Sequence, residues 1–519
     1  MKQMRPGAEG LVTGEAELRR EAGPVPSGSP ALDRILGGGY ASNRIHLLEG
    51  APGAGKTTLG LQFLLEGARK RERCLYITLS ESKDELLHVA STHGWSLDGI
   101  DIFELVPPEL SLDPEREQSI VYASDLELGE TVRMVMEEVE RLAPARIVFD
   151  SLSEIRLLAQ GSLRYRRQVL ALKHYFAQRN CTAIFLDDLT DNYGVEDLSL
   201  HSLAHGVVRL EQNAMHYGAE RRRLRVFKMR GRRFIGGFHD FEIRTGGVEI
   251  FPRLVAGAHP ERAREQRQAP SGIEQLDALV GGGLDFGTST LVIGPSGAGK
   301  STLVQQYVYA GLQRGESAVF ISFDETEGVF NRRAAGLDMD IAEFEQRGLF
   351  HFRQVDPAEL SPGELNAIIR EHVEERGVRI VVIDSLAGYQ HAMPEEQFMM
   401  LQMHELVTYL NQQGVLSFLI LAQSGTVGAM HSPVDVTYLS DTVLLLRFFE
   451  AQGEIRRALS VLKKRTGTHE STIRELRIAK GGVAVGPKLD GFRGVLTGTP
   501  TFEGAEALLR LEHAGQDRG

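Results

Sequence analysis

Apolar residues in this chain gather in short, nearly continuous runs, and the runs recur in a fixed order. Ile45 to Leu48, Cys74 to Leu79, Arg146 to Phe149 and Thr182 to Leu186 follow one another in the first half. Thr290 to Ile293, Ala318 to Phe323, Arg379 to Ile383 and Leu416 to Ala422 repeat the series in the second. A strand with one wet face alternates apolar and polar residues, whereas a strand covered on both faces is apolar throughout. Helix-like stretches lie between the runs, among them Leu59 to Leu65 and Leu303 to Tyr309. The pattern predicts an α/β fold in each half, with a parallel-sheet core and helices on both faces. Each half then closes in strand-like, hairpin-like sequence.

The two halves are copies. SGSPALDRILGGGY opens at Ser27 and SGIEQLDALVGGGL at Ser271; Ser27 and Ser271, Asp33 and Asp277, and Lys56 and Lys300 are each separated by 244 residues. A repeat of that length is a duplicated domain, not a solenoid unit. The boundaries expected are a flexible amino-terminal segment over 1–24, a first domain over 25–256, a hydrophilic linker over 257–270 and a second domain over 271–496. A tail over 497–519 carries an amphipathic stretch, Glu503 to Leu511, that reads as a docking helix.

Two nine-residue stretches sit where strand gives way to helix. Gly50 to Thr58 reads GAPGAGKTT and Gly294 to Thr302 reads GPSGAGKST, both fitting the phosphate-binding loop pattern G-x-x-x-x-G-K-[ST]. Gly50, Gly53 and Gly55, with Gly294, Gly297 and Gly299, let backbone N–H groups approach phosphate oxygens without a Cβ between. Lys56 and Lys300 can reach the β- and γ-phosphates of ATP. Thr57 and Ser301 offer hydroxyls to Mg²⁺, and Thr58 and Thr302 complete the loops. Asp150 and Asp384 each end a later apolar run, where a carboxylate beside such a loop can orient the metal.

Hydrolysis also needs a carboxylate to position water. TLSES (Thr78 to Ser82) and SFDET (Ser322 to Thr326) supply Glu81 and Glu325, again 244 apart, preceded by Ser80 in one half and Asp324 in the other. Two basic stretches, ERRRLRVFKMRGRR from Glu220 and RRALSVLKKRTGTH from Arg456, carry Lys228 and Arg230, and Lys463 and Arg465. A solvated face, a nucleic-acid groove and fingers aimed at a neighbour's phosphate all fit such clusters. Their duplication beside two nucleotide sites favours the last.

Composition narrows the partners. The 519 residues carry a net charge of −12, which disfavours non-specific nucleic-acid binding. Cys74 and Cys181 both open apolar runs, which points to buried thiols rather than a disulfide framework. No apolar run approaches bilayer length and no signal-peptide core is present, so a cytoplasmic protein without a membrane partner is expected.

With these residues in hand, the chain resembles the KaiC family, RecA-like P-loop ATPases with two tandem ATPase domains in hexameric double rings. The resemblance covers Ser27 to Pro500. It rests on the paired LD-x-L/I-x-GGG openings, both P-loops, both Asp-Ser strand ends, KMRG from Lys228 and GTP from Gly498. It implies two tandem RecA-like domains, ATP with Mg²⁺, a homohexamer, and ATPase activity with serine/threonine autokinase activity in the second domain. A signalling or timing role with a signalling protein partner also follows from it.

The family pattern has two glutamates where this chain has Ser80-Glu81 and Asp324-Glu325, and its autophosphorylated Ser-Thr pair falls on Thr437-Tyr438. Thr437 is therefore the phosphoacceptor candidate. Two other functions fit the residues: a DNA-directed RecA-type motor using Arg221 to Arg225, and a nucleotide-gated scaffold with little turnover at the first site.

Overall fold

A computed structural model describes residues 23–105, 123–159, 161–189, 198–215, 218–262, 267–391, 396–423, 437–451, 453–496 and 501–502. Outside the described residues lie most of the amino-terminal segment (1–22) and linker residues 263–266. The GTP at 498–500, the docking helix expected over Glu503 to Leu511, and the loop at 428–435 before Thr437 also lie outside them. The chain divides into two compact units, the first made of Met1–Ala214 and Glu220–Arg253, the second of Met215–Ala219 and Leu254–Gly519.

In the first unit the strands are β1 (Ile45–Gly50), β2 (Cys74–Thr78), β3 (Ile100–Glu104), β4 (Arg146–Asp150) and β5 (Thr182–Asp188). They are followed by β6 (Gly206–Asn213), β7 (Arg221–Met229), β8 (Phe238–Arg244) and β9 (Gly247–Phe251). The second unit opens with a two-residue pair, β10 (Gln268–Ala269) and β11 (Leu284–Asp285). It continues with β12 (Ser289–Pro295), β13 (Ala318–Ser322), β14 (Phe350–Gln354), β15 (Ile380–Asp384) and β16 (Leu416–Gln423). Then come β17 (Thr442–Ala451), β18 (Glu454–Lys464), β19 (Ile473–Ala479) and β20 (Gly482–Lys488).

Each unit holds one nine-stranded sheet. The orders are β3-β2-β4-β5-β1-β6-β7-β8-β9 and β14-β13-β15-β16-β12-β17-β18-β19-β20. Pairing is parallel from β3 through β6 and antiparallel from β6 to β9, and the second sheet repeats this. The halves are thus two tandem RecA-like α/β domains with mostly parallel sheets.

Alternation along each strand divides the core into two layers. Leu48, Tyr76, Val148 and Ile184 face one layer, and Leu47, Leu75, Ile147 and Ala183 face the other. In the second unit Val292, Phe320, Val382 and Phe418 face one layer while Leu291, Val319, Val381 and Leu419 face the other. Both layers are apolar, which is why these strands read as nearly continuous apolar runs. Each fully buried aliphatic side chain contributes roughly 1.5–3 kcal/mol.

The structure adds strands at the parallel edge that the pattern left out. β3 and β14 are only half-buried, so their hydrophobic signal is weak. The chain is anchored at both ends of this stretch: just before the linker the Ala256 N–H donates to the Glu405 carboxylate at 2.9 Å, and within it the Arg262 N–H donates to the Gln412 carbonyl at 3.0 Å.

Candidate functional site

Both phosphate-loop sequences lie between the central strand of their sheet and the helix that follows it. β1 leads into the helix Lys56–Arg69 and β12 into the helix Lys300–Gln313. Gly55 and Gly299 are the N-caps, each at φ 96°, and neither helix has a side-chain cap. A Cβ at Gly55 would stand 2.8 Å from the Ile243 Cδ1, and one at Gly299 2.3 Å from the Ile478 Cδ1. The left-handed backbone is what requires glycine, and a side chain there would also displace the isoleucine tip. The result is a helix N-terminus without a side-chain acceptor, which favours an anion.

The strand order brings carboxylates from separate segments to this point. Asp150 and Asp384 end β4 and β15. The Tyr76 hydroxyl donates to Asp150, and the Thr57 hydroxyl also hydrogen-bonds it. Burial raises the Asp150 carboxyl above its usual range despite these bonds. Asp384 is raised by burial in the same way and is hydrogen-bonded by Ser301. In both units, then, the loop hydroxyl and the strand-end carboxylate meet, the pairing of hard oxygen donors that Mg²⁺ takes.

The candidate water-positioning acids differ between the units. Burial, reinforced by the neighbouring Asp150 charge, pushes Glu81 up to about 7, and its Oε2 is buried without a partner among the described residues. Glu325 instead forms an ion pair with Arg333 at 2.7 Å, and Arg333 also donates to Gln305 at 2.9 Å. Asp324 accepts from the Ser385 hydroxyl at 3.0 Å. The motif reading did not identify Arg333, Tyr76 or Ser385. It also missed Asp188, whose Oδ1 lies 2.7 Å from the Lys56 Nζ. The signal for Asp188 was present in the two acids, Asp187 and Asp188, that close the apolar run of β5.

The basic pairs sit elsewhere. The Lys228 Nζ donates to the carbonyls of His201 and Ala204, the latter at 2.8 Å, and Arg230 donates to the Ser202 carbonyl at 2.6 Å. The Lys463 Nζ donates to the carbonyls of Thr437 and Ser440 at 2.9 and 2.7 Å, and Arg465 to the Tyr438 carbonyl at 2.9 Å. In each unit the cations hold the turn that leads into the strand beside the phosphate loop. Among the described residues neither pair is bonded to Lys56, Asp150, Lys300 or Asp384.

Register establishes their correspondence: Lys228 pairs with Val207 and Lys463 with Val443, each at a β-bulge. β7 ends at Met229 and β18 at Lys464, so each arginine lies past its strand's end. Much of the first basic run is occupied internally. Arg222 and Arg223 pair with Glu220 and Glu211, and Arg223 and Arg225 lie over Phe238 and Phe227. Thr437 and Tyr438 are exposed, while Ser440 and Thr442 are buried.

No helix among the described residues is long and apolar enough to cross a membrane. The KaiC ATPase family model matches the chain twice, over 25–255 and 269–490. A circadian clock oscillator protein KaiC from Picosynechococcus is 27% identical over 94% of this chain and 95% of its own length. One from Thermostichus vulcanus is 27% identical over 96% of each, and a KaiC 1 from Synechocystis is 26% identical over 91% of this chain and 90% of its own.

Proposed function

The chain belongs to the KaiC family of ATPases, and from that premise we propose that it binds and hydrolyses ATP at two sites, one per unit. The observation that carries this reading is the duplicated cluster of a glycine-capped helix N-terminus, a buried lysine and a bonded hydroxyl–carboxylate pair. The loop glycines Gly50, Gly53, Gly55, Gly294, Gly297 and Gly299 would cradle phosphates, with Lys56 and Lys300 on the β- and γ-phosphates. Thr57 with Asp150, and Ser301 with Asp384, would hold Mg²⁺, which when bound neutralises charge on the phosphate oxygens. Glu81 in the first site, and Asp324 with Glu325 in the second, would position the attacking group.

The finer parts of the proposal follow the family. The protein assembles as a ring of six, in which Lys228, Arg230, Lys463 and Arg465 serve the adjoining protomer's site through the turns they hold. The second unit transfers phosphate to Thr437; the exposure of Thr437 and its anchoring by Lys463 support that choice. The protein acts in the cytoplasm as a signalling or timing module on a protein partner, as the naming of its relatives as clock oscillators suggests.

The test is nucleotide stoichiometry. Lys56→Ala and Lys300→Ala should each remove one bound nucleotide per chain, and the double variant both. Retention of both nucleotides by either single variant at sub-saturating ATP would overturn the assignment. Mass determination of the ATP-loaded protein and phosphosite mapping then test the ring and Thr437. A second reading, a nucleotide-gated scaffold that turns over little ATP at its first site, is favoured by Ser80 standing where the second site has Asp324. Hydrolysis measured in the Lys300→Ala protein separates the two.

A further inference from the structure

The two phosphate-loop lysines are held differently. The Lys56 Nζ donates to the Gly50 and Ala51 carbonyls, both at 2.9 Å, and lies 2.7 Å from the Asp188 Oδ1. An ammonium has three protons, so these oxygens satisfy it fully. The Lys300 Nζ donates to the Pro295 carbonyl at 2.8 Å, and among the described residues no carboxylate forms an ion pair with it.

Register gives the reason. Asp188 lies opposite Gly50 on the neighbouring strand, and the residue opposite Gly294 is Ala422. The support for Asp188 is likewise present in one unit alone. The Asp188 N–H donates to the Ser153 hydroxyl at 3.1 Å. The segment DSLS from Asp150 has its counterpart in DSLA from Asp384, so Ala387 stands at the position of Ser153. Both members of a carboxylate-holding pair are therefore alanine in the second unit.

We propose that Asp188 is an acidic latch on the first nucleotide site, competing with the triphosphate for Lys56, so that this site takes ATP more weakly than the second. The inference rests on the reading that both loops bind ATP. A phosphate oxygen and the Asp188 carboxylate need the same ammonium. Once Lys56 turns to the phosphates, Asp188 is left unpaired beside a like charge. The side chain of Asp188 is 33% exposed and that of Lys56 8%. Water can therefore reach the released carboxylate, which keeps the latch openable, while the buried lysine is poorly screened until a phosphate replaces its partner.

Titration of a fluorescent ATP analogue with Mg²⁺ into Lys300→Ala protein isolates the first site. Adding Asp188→Asn should lower its Kd on the order of tenfold, the size of one charge coupling at a half-exposed site. An unchanged or raised Kd overturns the latch. If Asp188→Asn does not fold, the reciprocal carries the test. In Lys56→Ala protein, Ala387→Ser with Ala422→Asp should raise the Kd of the second site by a similar factor, and no rise overturns the proposal. Failure of the wider reading looks different. The Lys300→Ala protein would then bind the analogue no better than the double lysine variant, before Asp188 is touched.

Discussion

A carboxylate positions water only when ionised, and its surroundings decide when that is. Glu81 and Glu325 occupy matching places, yet Glu81 is half-buried beside other acids and raised to about 7, whereas Glu325 is paired with Arg333. First-site hydrolysis should therefore depend on pH in the neutral range. The active form is the carboxylate, so kcat/KM measured in Lys300→Ala protein should rise with pH and level off above about 7. Glu81→Gln should flatten that limb and lower the rate about 10²- to 10⁴-fold, the usual contribution of a general base. A profile level from pH 5.5 to 8.5 would remove Glu81 from this role.

Elements place these residues by how they end. The helices Lys56–Arg69 and Lys300–Gln313 begin at glycines in the left-handed region, which an L side chain occupies at a cost of roughly 1–3 kcal/mol. Gly299→Ala adds a contact with Ile478, so it should lower the unfolding midpoint of the second unit and abolish its nucleotide binding, leaving the first site loaded. Combining it with Ile478→Ala should recover part of the stability, because the contact is relieved while the backbone strain stays. Full recovery would mean that φ at this position is immaterial. The bulges at Val207/Val208 and Val443/Leu444 lie in the antiparallel pairings of β6 with β7 and of β17 with β18. A bulge re-aims the residue beside it, and here it lies beside Lys228 and Lys463.

At the scale of the whole molecule, the two units carry separate cores and separate buried histidines. Burial lowers His46 to about 3 and His239 to about 4 in the first unit, and His372 to about 4 in the second. A histidine depressed in the folded state takes its proton first when unfolded. Its stabilising effect is complete above the unfolded value near 6.5 and is lost as pH falls toward the folded value. Glu81, raised when folded, works the other way between about 4.5 and about 7, as do the raised Asp33 and Asp150 above their ordinary 3.8, while the lowered His205 acts with His46 and His239. Trp95 is the sole tryptophan and belongs to the first unit, so its fluorescence reports that unit alone. Its unfolding midpoint should fall steadily from about pH 6.5 to about pH 4.5, and His46→Gln should lessen the slope if the protein folds. A midpoint that holds or rises over that range would contradict the buried neutral histidines.

Local chemistry and period were legible in the sequence: the apolar runs, both phosphate loops, the aspartates that end β4 and β15, and the duplication. Each is a property of a few consecutive residues, or of a pattern compared with its own repeat. The edge strands β3 and β14 were not legible, because a half-buried strand lacks the continuous apolar run that marks a covered one. Nor were Lys56 with Asp188, Tyr76 with Asp150, or Glu325 with Arg333. The strand order sets β5 beside β1 and β4 beside β2, so strand ends far apart in the chain meet at one edge of the sheet. Motifs repeated in both halves specified two similar sites. The side chains those crossovers deliver, an aspartate beside one lysine and an alanine beside the other, made them unequal, because the charge felt at Lys56 or Lys300 depends on distance in space and not on position along the chain.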